Sequence, residues 1–221
     1  MAKHIDLPAH HDRGGCHRGT PAEQLACLDG WAHRRDQVID YYDERRMATA
    51  PVLPSVAHEA LSRMQHALSA KRCTLVTENI DGMLLKASAE QVVELHGSLF
   101  RLQCEADRSH PQPGVFGPQP PDARCKLCGA PMRPAVVWPG EAPYRLDEVL
   151  AAVRSCDVFL AVGTSAASEA ARTLIDEAHA SGARTIAINP APEGGPFDET
   201  FAVPAEQAVP ELVARWLGDP G

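Results

Sequence analysis

The run from Asp157 to Asn189 constrains the fold more than any other part of the chain. DVFLAV (157–162) and RTIAIN (184–189) are short apolar stretches, and GTSAASEAARTLIDEAHASGA between them has helical composition. Strand, helix and strand in that order form a crossover joining parallel neighbours, and parallel strands are buried on both faces. CTLVT (73–77), QVVEL (91–95) and AVVW (135–138) are further β-rich runs, RLDEVLAAVRS (145–155) reads as a helix, and EQAVPELVARWL (206–217) closes the chain with another. The expectation is an α/β fold with a parallel sheet covered by helices on both faces.

Upstream of these strands the texture is different. Residues 1–19 are polar, rich in His and Gly and without period, which reads as a loose arm. The glycines there suggest a phosphate loop, but no strand precedes them, so that reading lacks its structural context. From Thr20 to Ala48 the composition is helical, with Trp31, Val38, Ile39 and Tyr42 spaced to share a face. Pro51 and Pro54 end it, and Ser55 is placed to cap a second helix carrying Val56, Ala60, Leu61, Met64 and Leu68.

Charge and hydropathy exclude some classes of function. A formal net charge of −8 over 221 residues argues against nucleic-acid binding through a basic surface. No apolar run approaches the roughly 18 residues of a membrane span, and the first residues lack the apolar middle of a signal peptide. These observations point to a cytoplasmic protein, in which the 7 cysteines are thiols or metal ligands rather than disulfides. Cys16, Cys27, Cys73 and Cys156 stand in no motif and read as buried structural thiols.

The polar signals cluster in one place relative to the strands. TENID follows the strand at 73–77, HGS the one at 91–95, GTS the one at 157–162, and Asn189-Pro190 the one at 185–188. The carboxyl ends of parallel strands share one edge of the sheet, where ligands bind. Gly163, Thr164 and Ser165 serve either as a plain turn with a helix cap or as a phosphate site at a helix N-terminus. Asn79 and Asp81 are either turn residues or hydrogen-bonding groups for ribose hydroxyls or a carboxamide. His96 is either structural or a general base whose unperturbed pKa near 6.5 suits proton abstraction at neutral pH. Tyr42 and Arg45 lie three residues apart on one helix face; Arg45 is either a solvated surface residue or a two-point clamp for a carboxylate.

CKLCG (125–129) supplies half of a metal site. The usual ribbon places a second C-x2-C about 15–20 residues away. Counting back reaches Cys104, with Asp107 standing where its partner cysteine belongs. The expected zinc ligands are therefore Cys104, Asp107, Cys125 and Cys128. Recruitment of His110, or a weakened or lost site held by packing, is the alternative.

TENIDG, VVELHGSL, CKLCG followed by RPAVVWPGE, DVFLAVGTS, AIN and PAEQAVPELV, in this order, resemble the sirtuins, NAD-dependent protein deacylases, over residues 20–217. YYDERR followed by PSVAHEAL resembles the bacterial subgroup with a Tyr-x-x-Arg pair for acidic acyl groups. The resemblance implies a Rossmann-like domain formed by residues 71–103 and 134–221. A small module would comprise helices from 20–70 and a zinc-ribbon insertion at 104–133, with NAD and acyl-lysine proteins or peptides meeting between the two parts. His96 would deprotonate a ribose hydroxyl. Glu78, Asn79, Ile80 and Asp81 would line the nicotinamide and ribose pocket. Gly163, Thr164 and Ser165 would lie by the phosphates and ribose, Asn189 by the adenosine ribose and Ala205 near the adenine. Tyr42 and Arg45 would favour succinyl- or malonyl-lysine, and the zinc would be structural.

Several positions depart from the family pattern. The family opens with a central strand and a Gly-Ala-Gly loop for the NAD pyrophosphate, and this chain is expected to begin downstream of them. TQNID reads TENID, so Glu78 replaces an amide; Pro139 interrupts the Trp-Phe-Gly-Glu segment; Leu84 replaces a histidine. Two readings therefore accompany the deacylase: a non-catalytic sirtuin-like scaffold that binds protein partners, and a sirtuin-type ADP-ribosyltransferase.

Overall fold

A computed structural model describes residues 16–69, 72–164, 168–191 and 195–218. Most of the arm at 1–19 (residues 1–15) and Ser165 of the expected phosphate site lie outside the described residues. Cys16 to Gly19 do not continue a loose arm. Strand β1 (Cys16–His17) pairs antiparallel with β2 (Thr20–Pro21), bringing His17 against Asp40 and Glu44 of the helical region.

The expected single helix from Thr20 to Ala48 is three: α1 (Ala22–Leu25), α2 (Leu28–His33) and α3 (Arg35–Thr49). The break follows from a cap and a close approach. Cys27 has extended backbone and its Sγ accepts the Gly30 N–H at 3.3 Å, which starts a new helix. A Cβ on Gly30 would lie 2.4 Å from the Gln24 carbonyl oxygen, so only glycine lets α2 fold back onto α1. Ser55 begins α4 (Val56–Leu68) as its N-cap and donates its backbone N–H to His58 Nδ1 at 3.1 Å.

The parallel strands form two groups. β3 (Val76–Thr77) pairs with β4 (Val93–Glu94), and β7 (Val158–Val162), β8 (Arg184–Ile188) and β9 (Glu199–Phe201) pair in that order. Helix α5 (Met83–Lys86) lies between the first two strands in sequence, α6 (Leu146–Val153) precedes β7, α7 (Glu169–Ala180) makes the crossover to β8, and α8 (Ala205–Leu217) ends the chain. Among the described residues, no strand pairs the edges of β3 and β7 that β4 and β8 leave open. The period of 2 places helices on both faces. Leu160 and Val162 pack into a cluster with Met64 of α4 and Val209 and Val213 of α8, whereas Phe159 joins Val149 of α6 and Leu174 of α7. Leu75 and Val76 divide between the same two clusters, so both strand groups share one doubly covered core. Of the four cysteines outside motifs, only Cys73 is buried; Cys16 is exposed and Cys27 and Cys156 are intermediate.

GSLFRLQC, which shows no strand signal in the sequence, is strand β5 (Gly97–Cys104). It runs antiparallel to β6 (Met132–Val136), with Gly97 opposite Val136, Cys104 opposite Met132, and a shift of register between Ser98 and Leu102. AVVW therefore contributes to this ribbon and not to the parallel sheet. The ribbon carries the 105–131 insertion at one end and His96 at the other. Gly97 sets that second end: its φ is +83°, and an added Cβ would meet the Ala135 carbonyl oxygen at 1.9 Å. Substituting alanine forces a backbone displacement and a left-handed conformation. Gly97→Ala is expected to cost on the order of 3 kcal/mol and lower the melting temperature by about 10 °C, read by calorimetry.

Burial pushes the His58 pKa below its ordinary value, with Asp81 opposing, and its Nδ1 lone pair is used by Ser55. A histidine with a depressed folded pKa contributes stability above its unfolded pKa, and that contribution is lost as pH falls through the folded value. The melting temperature is expected to drop as pH falls below the unfolded histidine value of about 6.5. His58→Gln keeps an acceptor without a charge and should flatten that drop in the same thermal scans.

Candidate active site and metal cluster

Two of the expected site segments meet at the carboxyl ends of β3 and β4. Glu78 follows β3 and His96 follows β4, with His96 Nε2 3.8 Å from Glu78 Oε1. Both side chains are largely buried, at 16% and 27% exposure, so their attraction is less screened than that of a surface pair. Ser168, the N-cap of α7, donates its hydroxyl to the same Glu78 oxygen and accepts the Ala171 N–H at 2.9 Å. The positive end of helix α7 therefore stands behind the carboxylate. Sequence reasoning placed this cap in GTS, directly after the strand. The helix starts four residues later than Ser165, and the signal was the Ser168-Glu169 pair opening an apolar helical run.

The other loop residues divide between scaffolding and the crevice. Asp81 Oδ1 accepts the Met83 N–H at 3.0 Å and fixes the start of α5. Asn79 donates its backbone N–H to Thr77 Oγ1 at 3.0 Å, which tightens the turn after β3. The Ile80 side chain lies in an apolar cluster with Tyr42, Leu99 and Trp138, and its carbonyl accepts the Leu99 N–H at 2.9 Å. Gly163 leaves β7 with φ +64°, donating its N–H to Ile188. Asn189 Nδ2 donates to the Thr164 carbonyl at 2.8 Å, tying the end of β8 to the end of β7. Ala205 opens α8 with its methyl group in the core, in a separate cluster from Ile80.

YYDERR separates into a buried structural part and one exceptional cation. Arg46 is fully buried; its Nε donates to the Leu99 carbonyl at 2.6 Å, its Nη1 to the Gly117 carbonyl at 3.1 Å, and it pairs with Asp43. Tyr42 is also fully buried, its hydroxyl accepting the Trp138 indole N–H at 2.8 Å, and burial pushes its pKa up. Arg45 is 9% exposed, and its guanidinium lies 3.6 Å over the Tyr41 ring. It makes no hydrogen bond or ion pair among the described residues, and burial lowers its pKa, with Tyr41 opposing. A guanidinium removed from water without a carboxylate favours an anionic ligand that supplies one. Arg45, not Tyr42, is the member of the pair available for that contact.

In the insertion, Cys104, His110, Cys125 and Cys128 present donor atoms that all lie within 4.8 Å of one another. Cys104 and Cys128 sulfurs are 3.5 Å apart, and Cys125 Sγ is 3.3 Å from His110 Nδ1. A tetrahedron with Zn–S bonds of about 2.3 Å places neighbouring sulfurs about 3.8 Å apart, so the four donors fit zinc. Backbone N–H groups of Cys128 and Leu127 hold the Cys125 thiol down to about 6, toward the thiolate a metal requires. Asp107, expected from spacing as the fourth ligand, is not in the cluster; its Oδ1 accepts from Ser109 N and Oγ. The loop brings His110 inward instead, which is the recruitment expected from the sequence as the alternative to Asp107.

No helix among the described residues is long and apolar enough to cross a membrane. The Sir2 family model matches residues 6–170. The chain is 35% identical over 205 residues to an NAD-dependent protein deacylase of Salmonella typhimurium, covering 88% of this chain and 72% of that one. It is 32% identical over 218 residues to an NAD-dependent protein deacylase of Caulobacter vibrioides, covering 96% and 90%. The crystal structure of a Sir2 homolog–NAD complex superposes with a TM-score of 0.83 at 27% identity, covering 97% of this chain and 84% of that one. A shared Rossmann-like fold, a match to most of the length and a Cys/His cluster at the ribbon agree: the chain belongs to the Sir2 family.

Proposed function

We propose that this chain is an NAD-dependent protein-lysine deacylase that releases nicotinamide and O-acyl-ADP-ribose and favours acyl groups ending in a carboxylate. The observation that carries the reading is His96 at the carboxyl end of a parallel strand, 3.8 Å from Glu78, in a chain of the Sir2 family. NAD, when bound, supplies the sugar carbon that receives the acyl oxygen as nicotinamide departs. His96 Nε2 takes the proton of a ribose hydroxyl, and the Glu78 charge stabilises the imidazolium that results. Ser168 and the α7 N-terminus offset that charge toward the diphosphate. Asn79, the Ile80 backbone and Asp81 border the nicotinamide and its ribose. Gly163 and Thr164 approach the phosphates, Asn189 the adenosine ribose and Ala205 the adenine; Ser165, outside the described residues, keeps its expected phosphate role.

Substrates in this reading are acyl-lysine proteins or peptides in the cytoplasm, with the Arg45 guanidinium pairing with the distal carboxylate of a succinyl or malonyl group. Zinc at Cys104, His110, Cys125 and Cys128 supplies a cross-link that closes the insertion, and no step of the reaction runs through it. Residues 20–70 and 104–133 form the small module, and 71–103 with 134–221 form the Rossmann-like part. A second reading, a non-catalytic scaffold, is favoured by the lack, among the described residues, of a strand paired with the free edges of β3 and β7.

Incubation with NAD and a succinyl-lysine peptide is expected to release nicotinamide, and His96→Ala to slow turnover by roughly 10²- to 10⁴-fold, followed by chromatography. A folded wild-type chain that releases none supports the scaffold; nicotinamide release with no loss of the acyl group supports ADP-ribose transfer. Arg45→Met is expected to lower kcat/KM for the succinyl peptide by roughly 10- to 100-fold while leaving an acetyl peptide within about 3-fold.

A further inference from the structure

Replacing one thiolate of a four-cysteine site by an imidazole has two physical consequences. Zinc with four thiolates carries a formal charge of about −2, and with three thiolates and a neutral imidazole about −1. An imidazole must also present one chosen nitrogen to the metal, which requires its other nitrogen to be held. Both requirements meet at Asp107. His110 presents Nδ1 to the Cys125 sulfur at 3.3 Å, and its Nε2 lies at ion-pair distance, 3.4 Å, from Asp107 Oδ2. The carboxylate is itself fixed: Oδ1 accepts the Ser109 N–H at 2.8 Å and its hydroxyl at 2.7 Å. The Asp107 carbonyl accepts the His110 N–H at 3.3 Å, so ring and carboxylate share one tight turn.

We infer that Asp107 is the outer-sphere partner of the metal cluster, orienting His110 so that Nδ1 ligates and Nε2 keeps its proton, and returning the negative charge that the missing fourth thiolate removed. Zinc itself is the reading given above, and the role of Asp107 rests on it. This position, three residues after Cys104, is where a C-x2-C ribbon carries a cysteine. Here the same position acts on the metal through the imidazole.

Zinc affinity is measured by competition with a chelating dye, and geometry by the visible bands of the Co(II)-substituted protein, with far-UV circular dichroism reporting the fold. Asp107→Asn, which keeps the shape and the contact to Ser109, is expected to weaken zinc by roughly 10- to 100-fold while the tetrahedral Co(II) bands keep their positions. His110→Ala is expected to change those bands, because a ligand is lost. In a His110→Cys background the dependence should vanish, with Asp107→Asn altering affinity less than about 2-fold. A similar 10-fold loss in that background makes Asp107 a mere loop brace and overturns the inference. Wild-type affinity in Asp107→Asn overturns it too. Tetrahedral bands that survive His110→Ala and disappear in Asp107→Ala make Asp107 the ligand and overturn it. A wild-type chain that takes up no zinc refutes the zinc reading itself, a result separable from the variants' behaviour in a metal-binding chain.

Discussion

Burial of the parallel strands on both faces is the constraint from which the rest follows. A strand whose successive residues alternate between two helical layers cannot slip by one position without moving Leu160 and Val162 into the layer of Phe159. Register fixed in this way places Glu78, His96, Gly163 and Asn189 just beyond the strand ends. Site geometry is thus a consequence of core packing. The Glu78 carboxylate is then placed where the N-cap of α7 can hold it and His96 can feel its charge. The local cap and the long-range ion pair depend on the same register.

The helical part docks through polar groups as much as through its apolar face. Arg46 is buried and held through Nε and Nη1 by two carbonyls and Asp43, its buried Nη2 lacking a partner among the described residues, and Gln119 of the insertion also donates its N–H to Asp43 at 3.0 Å. Removing a partner from such a network leaves a buried charge uncompensated, which makes the docking geometry stringent. Arg45, its neighbour, is nearly as buried but is matched only by the Tyr41 ring. Two adjacent arginines therefore have opposite status: one completes the fold, and the other retains a demand for an anion. Tyr42 and Trp138 form the floor beneath, since their hydrogen bond and ring contact bind α3 to the end of the β5–β6 ribbon.

The insertion repeats this division of labour. Its strands pair at the base, Cys104 opposite Met132, and its tip is loop, rich in proline and poor in apolar residues. A segment of that composition buries too little apolar surface to order itself. The four converging donors compensate, and the turn that delivers His110 is organised by Asp107 and Ser109.

The α/β class, the βαβ unit at 157–189, the cap at Ser55 and the gathering of polar loops at one sheet edge were legible in the sequence because each depends on period or neighbouring residues. The strand at 97–104 was not, because its burial comes from a distant partner at 132–136 and leaves no clean alternation. Gly30 breaking a helix depends on the Gln24 carbonyl folding back over it, and Ser168 displacing GTS as the cap depends on where the loop after β7 ends. His110 displacing Asp107 depends on a loop path, which residue counting cannot contain. Sequence by itself determined which groups were available: three thiolates, a histidine after a strand, a glutamate in place of an amide, and an arginine pair. Only the tertiary structure decided which arginine stays unpaired, which side chain completes the metal cluster and which hydroxyl holds Glu78, because each is a contact between segments far apart in the chain.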